Sequence, residues 1–299
     1  MPVCSWGAVA KTPVDGPRDV MDLDSLMERV FSLADDGDWA SAVDLLREHL
    51  ADHGDEPSVQ CALGVAEREI GNDGIAYECF KKALELQPED PYVLATAGNG
   101  VAAFDDPDAM EALKSAALLA PDVPLTRMLY GAYLAREGFH DWAIEQLEAA
   151  RKLDATDTQV AYELGVAFAL AGQMDRAGDA LGEAVQLDLD DGWARVVFGL
   201  VLLEDDRLDE AVGELIEGAR LRPEDVEAQL LAALAAGGTG LDGVAYEMLE
   251  RARMRALAGD LELVELAEEQ IDAGPKAAAT FLENDMKRDA LRVRLKEYL

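Results

Sequence analysis

The sequence predicts an all-α solenoid of tandem helix–turn–helix units, on three observations. Half of the 299 residues are hydrophobic but only 6% are aromatic, and Ala and Leu supply most of the apolar content. That composition suits helices better than a sandwich or barrel, which draws on Val, Ile, Thr and aromatics. Alanine recurs at Ala42, Ala76, Ala109, Ala143, Ala177, Ala211 and Ala245, at intervals of 34, 33, 34, 34, 34 and 34 residues, a period expected of stacked supersecondary units. Other small residues keep phase with it: Gly64, Gly131, Gly165 and Gly199 lie 12 residues before an Ala of the series, and Ala83, Ala116, Ala150, Ala184, Gly218 and Ala252 lie 7 residues after.

Residues 1–20 contain Pro and Gly, have no amphipathic period and read as a flexible leader. Seven units follow over residues 21–258, starting near residues 23, 57, 91, 124, 158, 192 and 226. The second shows the logic. Pro57 and Ser58 start a helix, Gly71-Asn72-Asp73 breaks it, a second helix runs to Leu86, and Gln87-Pro88 stops the chain. Antiparallel helices joined by so short a turn approach closely only where Gly or Ala stands at the contact, with Leu63 and Phe80 filling the flanks. The first unit departs from the pattern at Val30, His49 and Gly54. The third lacks one residue near Phe104–Pro107, which predicts a shorter internal turn. The seventh has no closing Pro and a loose Gly237-Gly238-Thr239-Gly240 turn, as suits a terminal unit.

Residues 259–299 read as capping helices. Asp260 is placed to cap a helix over Leu261–Asp272, Ala273-Gly274-Pro275 turns the chain, and Lys276 to about Lys296 forms one or two more helices. Ala279 lies 34 residues after Ala245, so the segment can be read as a worn eighth unit. The final stretch, MKRDALRVRLKEYL, is locally basic, and Leu291, Leu295 and Leu299 share a helical face. It is expected to cover the exposed flank of the last pair, with Leu291 and Leu295 buried and its Arg and Lys facing acidic neighbours.

The chain carries 61 acidic and 26 basic residues, a net charge of −35. An ordinary basic face for nucleic acid is thereby excluded, and attachment to an anionic membrane surface is disfavoured. No uncharged stretch reaches the roughly 18 residues that span a bilayer, and the N-terminal residues lack the basic start and apolar core of a signal peptide. The cytoplasm is the expected location. Lys is scarce and Asp exceeds Glu, and self-repulsion at this charge is screened when the Debye length falls to about 3 Å near 1 M salt. A halophilic source is the expected reason, with recognition of a basic partner as the rival. Cys4, Cys61 and Cys79 are unpaired in spacing and expected to be reduced thiols.

The stretches EREIGNDGIAYECFKKALELQPED, LAREGFHDWAIEQLEAARKLDATD and LEDDRLDEAVGELIEGARLRPED resemble the tetratricopeptide repeat family, in seven units from about Leu23 to Ala258. The resemblance implies a right-handed superhelix whose concave groove is lined by the first helix of each pair, through its second, fifth and ninth residues. By that register the groove holds Tyr92, Asn99, Leu125, Met128, Ala132, Gln159, Tyr162, Val166, Trp193, Val196 and Leu200, then Leu230 and Leu234, flanked by Arg136 and Glu163. The Lys, Asn and Arg with which some family members clamp a peptide carboxylate are replaced here by Met27, Phe31, Cys61, Ala62, Val65, Ala95 and Thr96.

Catalytic signals are thin. Three His and thirteen Ser and Thr leave few nucleophile–base pairs, no phosphate-binding Gly loop is present, and adjacent carboxylates such as Asp105-Asp106 and Asp190-Asp191 fall in turns, where Asp caps helices. His49 and His53 have the i, i+4 spacing of zinc ligands, but one sits at a packing position and the other at a helix end. No cofactor, metal or catalytic residue is expected. The function read from the sequence is a non-enzymatic scaffold that binds a peptide or helix of another protein. An accessory subunit of an enzyme or assembly is the alternative, and a nucleic-acid-binding helical repeat a more distant one.

Overall fold

The computed structural model describes residues 21–297, so the expected leader over residues 1–20 and Cys4 lie outside the described residues. The chain divides at Gln87/Pro88 into two compact units. The described residues contain seventeen α-helices and a π-helical turn, and no strand.

The first unit comprises α1 (Leu23–Asp35), α2 (Trp39–His53), α3 (Pro57–Glu69) and α4 (Asp73–Glu85). Asp22 starts α1 by accepting from the Ser25 N–H at 2.9 Å, and Pro57 starts α3 from its first turn, where no N–H is needed. Leu26, Ala42, Leu46 and Val59 form its core. Glu67 is fully buried, with Arg47 Nη2 at 2.6 Å and Asn72 Nδ2 donating at 2.9 Å. His49 and His53 do not converge on a common point. Each ring bonds a backbone carbonyl, of Leu45 at 3.0 Å and Met21 at 2.8 Å. No group of three or more His, Cys, Asp or Glu among the described residues is placed to hold a metal ion.

The second unit continues with α5 (Pro91–Ala102), α6 (Asp108–Leu119), α7 (Pro124–Arg136), α8 (His140–Leu153), α9 (Thr158–Leu170), α10 (Met174–Leu187), α11 (Gly192–Glu204), α12 (Leu208–Leu221), α13 (Val226–Gly238) and α14 (Asp242–Arg255). Each odd-numbered helix packs antiparallel on the next, and the first helices α5, α7 and α9 also lie side by side. Asp90, Asp157, Asp191 and Asp225 cap α5, α9, α11 and α13 through side-chain bonds to their first N–H groups, which accounts for part of the Asp excess.

The small residues of the repeat sit at the helix crossings. A Cβ on Gly131, Gly165 or Gly199 would stand 2.7, 2.6 or 2.7 Å from Cγ of Leu147, Leu181 or Leu215 on the opposing helix. Two further Gly of this unit, Gly138 and Gly172, end their first helices with positive φ, and Asp105 and Asp206 take that left-handed position after α5 and α11.

The third pair departs from expectation. Its internal turn is not shortened: α5 and α6 are separated by residues 103–107, and the deficit falls in α6, which has 12 residues where α8, α10 and α12 have 14. At five residues the turn is longer than the three of the pairs that follow, with α5 also one residue shorter than α7, and it delivers the left-handed Asp105 and an Asp106 carboxylate that accepts from the Asp108 N–H at 2.9 Å.

Beyond α14 come α15 (Leu261–Asp272), α16 (Pro275–Phe281), a π-helical turn over Leu282–Met286, and α17 (Lys287–Lys296). Asp260 precedes α15 but does not cap it. Its carboxylate turns back to accept from the Leu257 N–H at 2.9 Å. The flank of the α13/α14 pair is covered by α15 and α16, not by the final helix. One apolar core runs from Met128 to Leu295.

Candidate functional site

The first-helix face of the second unit holds the residues singled out by register, and the structure places them unevenly. Tyr92 is 51% exposed and Gln159 is exposed. Leu125 and Trp193 are half-buried, and Asn99, Met128, Ala132, Val166 and Leu200 are buried. Val196 turns into its own hairpin, where a Cβ on Gly218 would meet its Cγ2 at 2.7 Å. Leu230 and Leu234 are fully buried in α13.

Tyr162 and Trp193 meet directly: the indole Nε1 donates to the Tyr162 hydroxyl at 2.8 Å, tying α9 to α11. Tyr162 is 2% exposed, and burial, reinforced by the charge of Glu163, raises its phenol well above the ordinary tyrosine range. The pair is therefore a neutral, apolar platform. Trp193 carries two guanidinium groups, Arg222 at 5.0 Å and Arg294 at 4.7 Å from its ring centre.

Arg136 and Glu163 are not separate flanking charges. They form a bidentate pair at 2.8 and 3.0 Å, with both side chains almost wholly buried. Arg136 also donates to the Ala132 carbonyl through Nη1 at 3.1 Å, and to the Glu297 carbonyl through Nε at 3.0 Å and Nη2 at 2.7 Å.

That carbonyl belongs to the segment that follows α17, and α17 occupies this face. It packs along α11 and reaches α9. Its first residue, Lys287, bonds Glu204 Oε2 and the Leu203 carbonyl, each at 3.0 Å, at the C-terminal end of α11. Near its other end Arg294 lies over Trp193 at the N-terminal end of α11, so the two helices run antiparallel. Ala290, Leu291 and Leu295 are buried on the inward side, while Arg292 and Val293 point outward and are exposed.

Arg294 is 4% exposed and bonds both Asp225 oxygens, at 3.2 and 3.1 Å, and Glu227 at 3.0 Å. Its Nε has no hydrogen-bond partner among the described residues. Burial alone would raise the Asp225 carboxyl, but the Ala228 N–H and the charge of Arg294 outweigh it and hold the group below the usual carboxylate range. Burial would lower Lys287, yet Glu283 and Glu204 hold it above the ordinary lysine value.

The expectation for the last helix thus needs correcting in its place. Leu291 and Leu295 are buried and Lys287 and Arg294 face carboxylates of other helices, but the helix lies on α11 and α9 rather than on the terminal pair. Glu204, Arg222, Asp225 and Glu227, which position it, were not among the groove residues read from register. Only the local basicity of MKRDALRVRLKEYL pointed towards them.

No family model matches the chain. It is 28% identical over 136 residues to the mouse interferon-induced protein with tetratricopeptide repeats 3, a match covering 44% of this chain and 33% of that protein. Among solved structures, a chain of the APC/C hetero-tetramer Cut9–Hcn1 superposes with a TM-score of 0.66 at 20% identity, covering 83% of this chain and 50% of that one. The pilF protein of Pseudomonas aeruginosa superposes with a TM-score of 0.56 at 18% identity, covering 71% of this chain and 97% of its own. The chain therefore spans about a third of the mouse relative and half of the Cut9–Hcn1 chain. These likenesses show the fold, an all-α superhelical solenoid of tetratricopeptide type. No helix among the described residues is long and apolar enough to cross a membrane.

Proposed function

We propose that the chain is a non-enzymatic scaffold that takes a peptide or helix of another protein on the first-helix face of residues 88–297. One observation carries this reading: that face already holds a helix, α17, by an apolar platform, two ion clusters and a guanidinium that captures a carbonyl at its C-terminal end. The polar groups of the site are spent on pairing rather than arranged as nucleophile and base, which supports a binding role over a catalytic one. The Cut9–Hcn1 chain belongs to a multi-chain assembly, which favours service as an accessory subunit as a second form of the same role. The net charge of −35 makes protein, not nucleic acid, the partner, met in the cytoplasm.

A photo-cross-linking residue at Gln159, exposed on α9, tests this. Partners captured in cells should cross-link from Gln159 and not from Trp142, exposed on α8. Cross-linking from Trp142 alone would remove the groove from the mechanism.

A further inference from the structure

The partner's chemistry can be taken further, resting on the reading that the first-helix face is the binding site. Lys287, Leu291, Arg294 and Leu295 stand at positions i, i+4, i+7 and i+8 of one helix, which at about 100° per residue places them within roughly a quarter to a third of its circumference. Each has its own receptor. Glu204 takes the lysine, the inner side of α11 and α9 takes the leucines, and Trp193, Asp225 and Glu227 together take the arginine. Arg136, fixed by Glu163, takes the carbonyl at the helix end, where orphan carbonyls and the negative end of the macrodipole call for a cation.

The grip on α17 is also incomplete. The helix has 10 residues, fewer than the roughly 12–15 that sustain an isolated helix in water. It buries few apolar side chains, and the desolvated Arg294 Nε is not repaid by a hydrogen bond. A π-helical turn over Leu282–Met286 joins it to α16, a local break in regular hydrogen bonding at which a helix can swing.

We propose that α17 is an internal stand-in for the partner. The partner inserts a basic amphipathic helix with Lys, Leu, Arg and Leu at the spacing of Lys287, Leu291, Arg294 and Leu295, and α17 leaves the face to admit it. Charge complementarity selects this occupant: the receptors are acidic at both ends of α11, and the chain as a whole attracts cationic segments.

The test is a fluorescein-labelled peptide of residues 284–297 titrated against the full chain and two release variants altered only in α17. One variant carries Leu291→Asp with Leu295→Asp. The milder one, Lys287→Gln with Arg294→Gln, serves if the first fails to keep the wild-type helical circular dichroism. The peptide should bind a release variant at least 10-fold more tightly than the unaltered chain, and a peptide carrying Arg294→Glu should lose at least 10-fold. Equal affinity for released and unaltered chains overturns the proposal. If released chains take a charge-inverted or neutral amphipathic helix as tightly as the basic one, the inference falls while the helix-binding reading survives. If they take no helix of any charge, both fall.

Discussion

Substituting Gly165 by Ala sets two opposing effects against each other at one helix crossing. In a helix interior Ala is favoured over Gly by about 0.8–1.0 kcal/mol. At Gly165, however, the new Cβ would stand 2.6 Å from Leu181 Cγ, 3.0 Å from its Cδ2 and 3.2 Å from its backbone N. Leu181 is fully buried, and the backbone contact means that α10 itself has to shift. Over-packing of this kind costs roughly 1–3 kcal/mol, and the backbone involvement puts it in the upper half of that range. The net loss is about 1–2 kcal/mol. For a unit of this size each kcal/mol moves the melting temperature by about 2–4 °C, so Gly165→Ala should melt about 2–8 °C lower. Gly213, within α12, has nothing within 4 Å of its would-be Cβ, so Gly213→Ala keeps the propensity gain and should melt about 1–4 °C higher. Paired thermal melts followed by circular dichroism give the two signs. If Gly165→Ala rises with Gly213→Ala, close approach at the glycines does not set the helix crossing.

Four further outcomes are open to measurement. Asp206 sits at φ 57°, where a β-carbon costs roughly 1 kcal/mol, so Asp206→Gly should raise the melting temperature by a few degrees, and a fall would show that the carboxylate does more than occupy the turn. Burial, then the charge of Glu67, pushes the Cys79 thiol up to about 11, leaving on the order of one thiolate in a thousand at pH 8; peptide mapping after iodoacetamide should find Cys79 unmodified in the native chain, and fast labelling would contradict its burial. The depressed Asp225 carboxyl contributes stability above its unfolded value near about 3.9, which is lost as pH falls through its folded value, so protease sensitivity after Glu283 should appear on acidification below about pH 4, whereas Asp225→Asn should already be sensitive at neutral pH and gain less on acidification. Melting temperature should climb from low to molar KCl as the −35 charge is screened, whereas a flat response would favour an acidic surface kept for a basic partner.

The helix pairs were legible in the sequence because the interactions that set them are local. Gly131 meets Leu147, Gly165 meets Leu181 and Gly199 meets Leu215 at the same 16-residue separation, and each Asp cap bonds an N–H two or three residues on. The residence of α17 was not legible for the opposite reason. Arg294 meets Asp225 across 69 residues, Lys287 meets the Leu203 carbonyl across 84, and Arg136 meets the Glu297 carbonyl across 161. A basic helix in a chain with 61 acidic residues has too many acceptable partners for charge alone to choose among them. Register likewise brought Tyr162 and Trp193 to one face but could not show that they bond each other. A Tyr162→Ala/Trp193→Ala pair would therefore disturb packing as well as any binding, and Gln159 and Tyr92 are the cleaner probes of the face.

Hydrogen exchange on the unaltered full chain, with and without the peptide of residues 284–297, reads the occupancy of the first-helix face itself. With the peptide in saturating excess, amides of Leu291 to Lys296 should exchange at least 10-fold faster, as α17 is displaced, while those of α9 and α11 keep their protection. If the peptide binds and α17 keeps its protection, the helix-binding site lies elsewhere on the molecule.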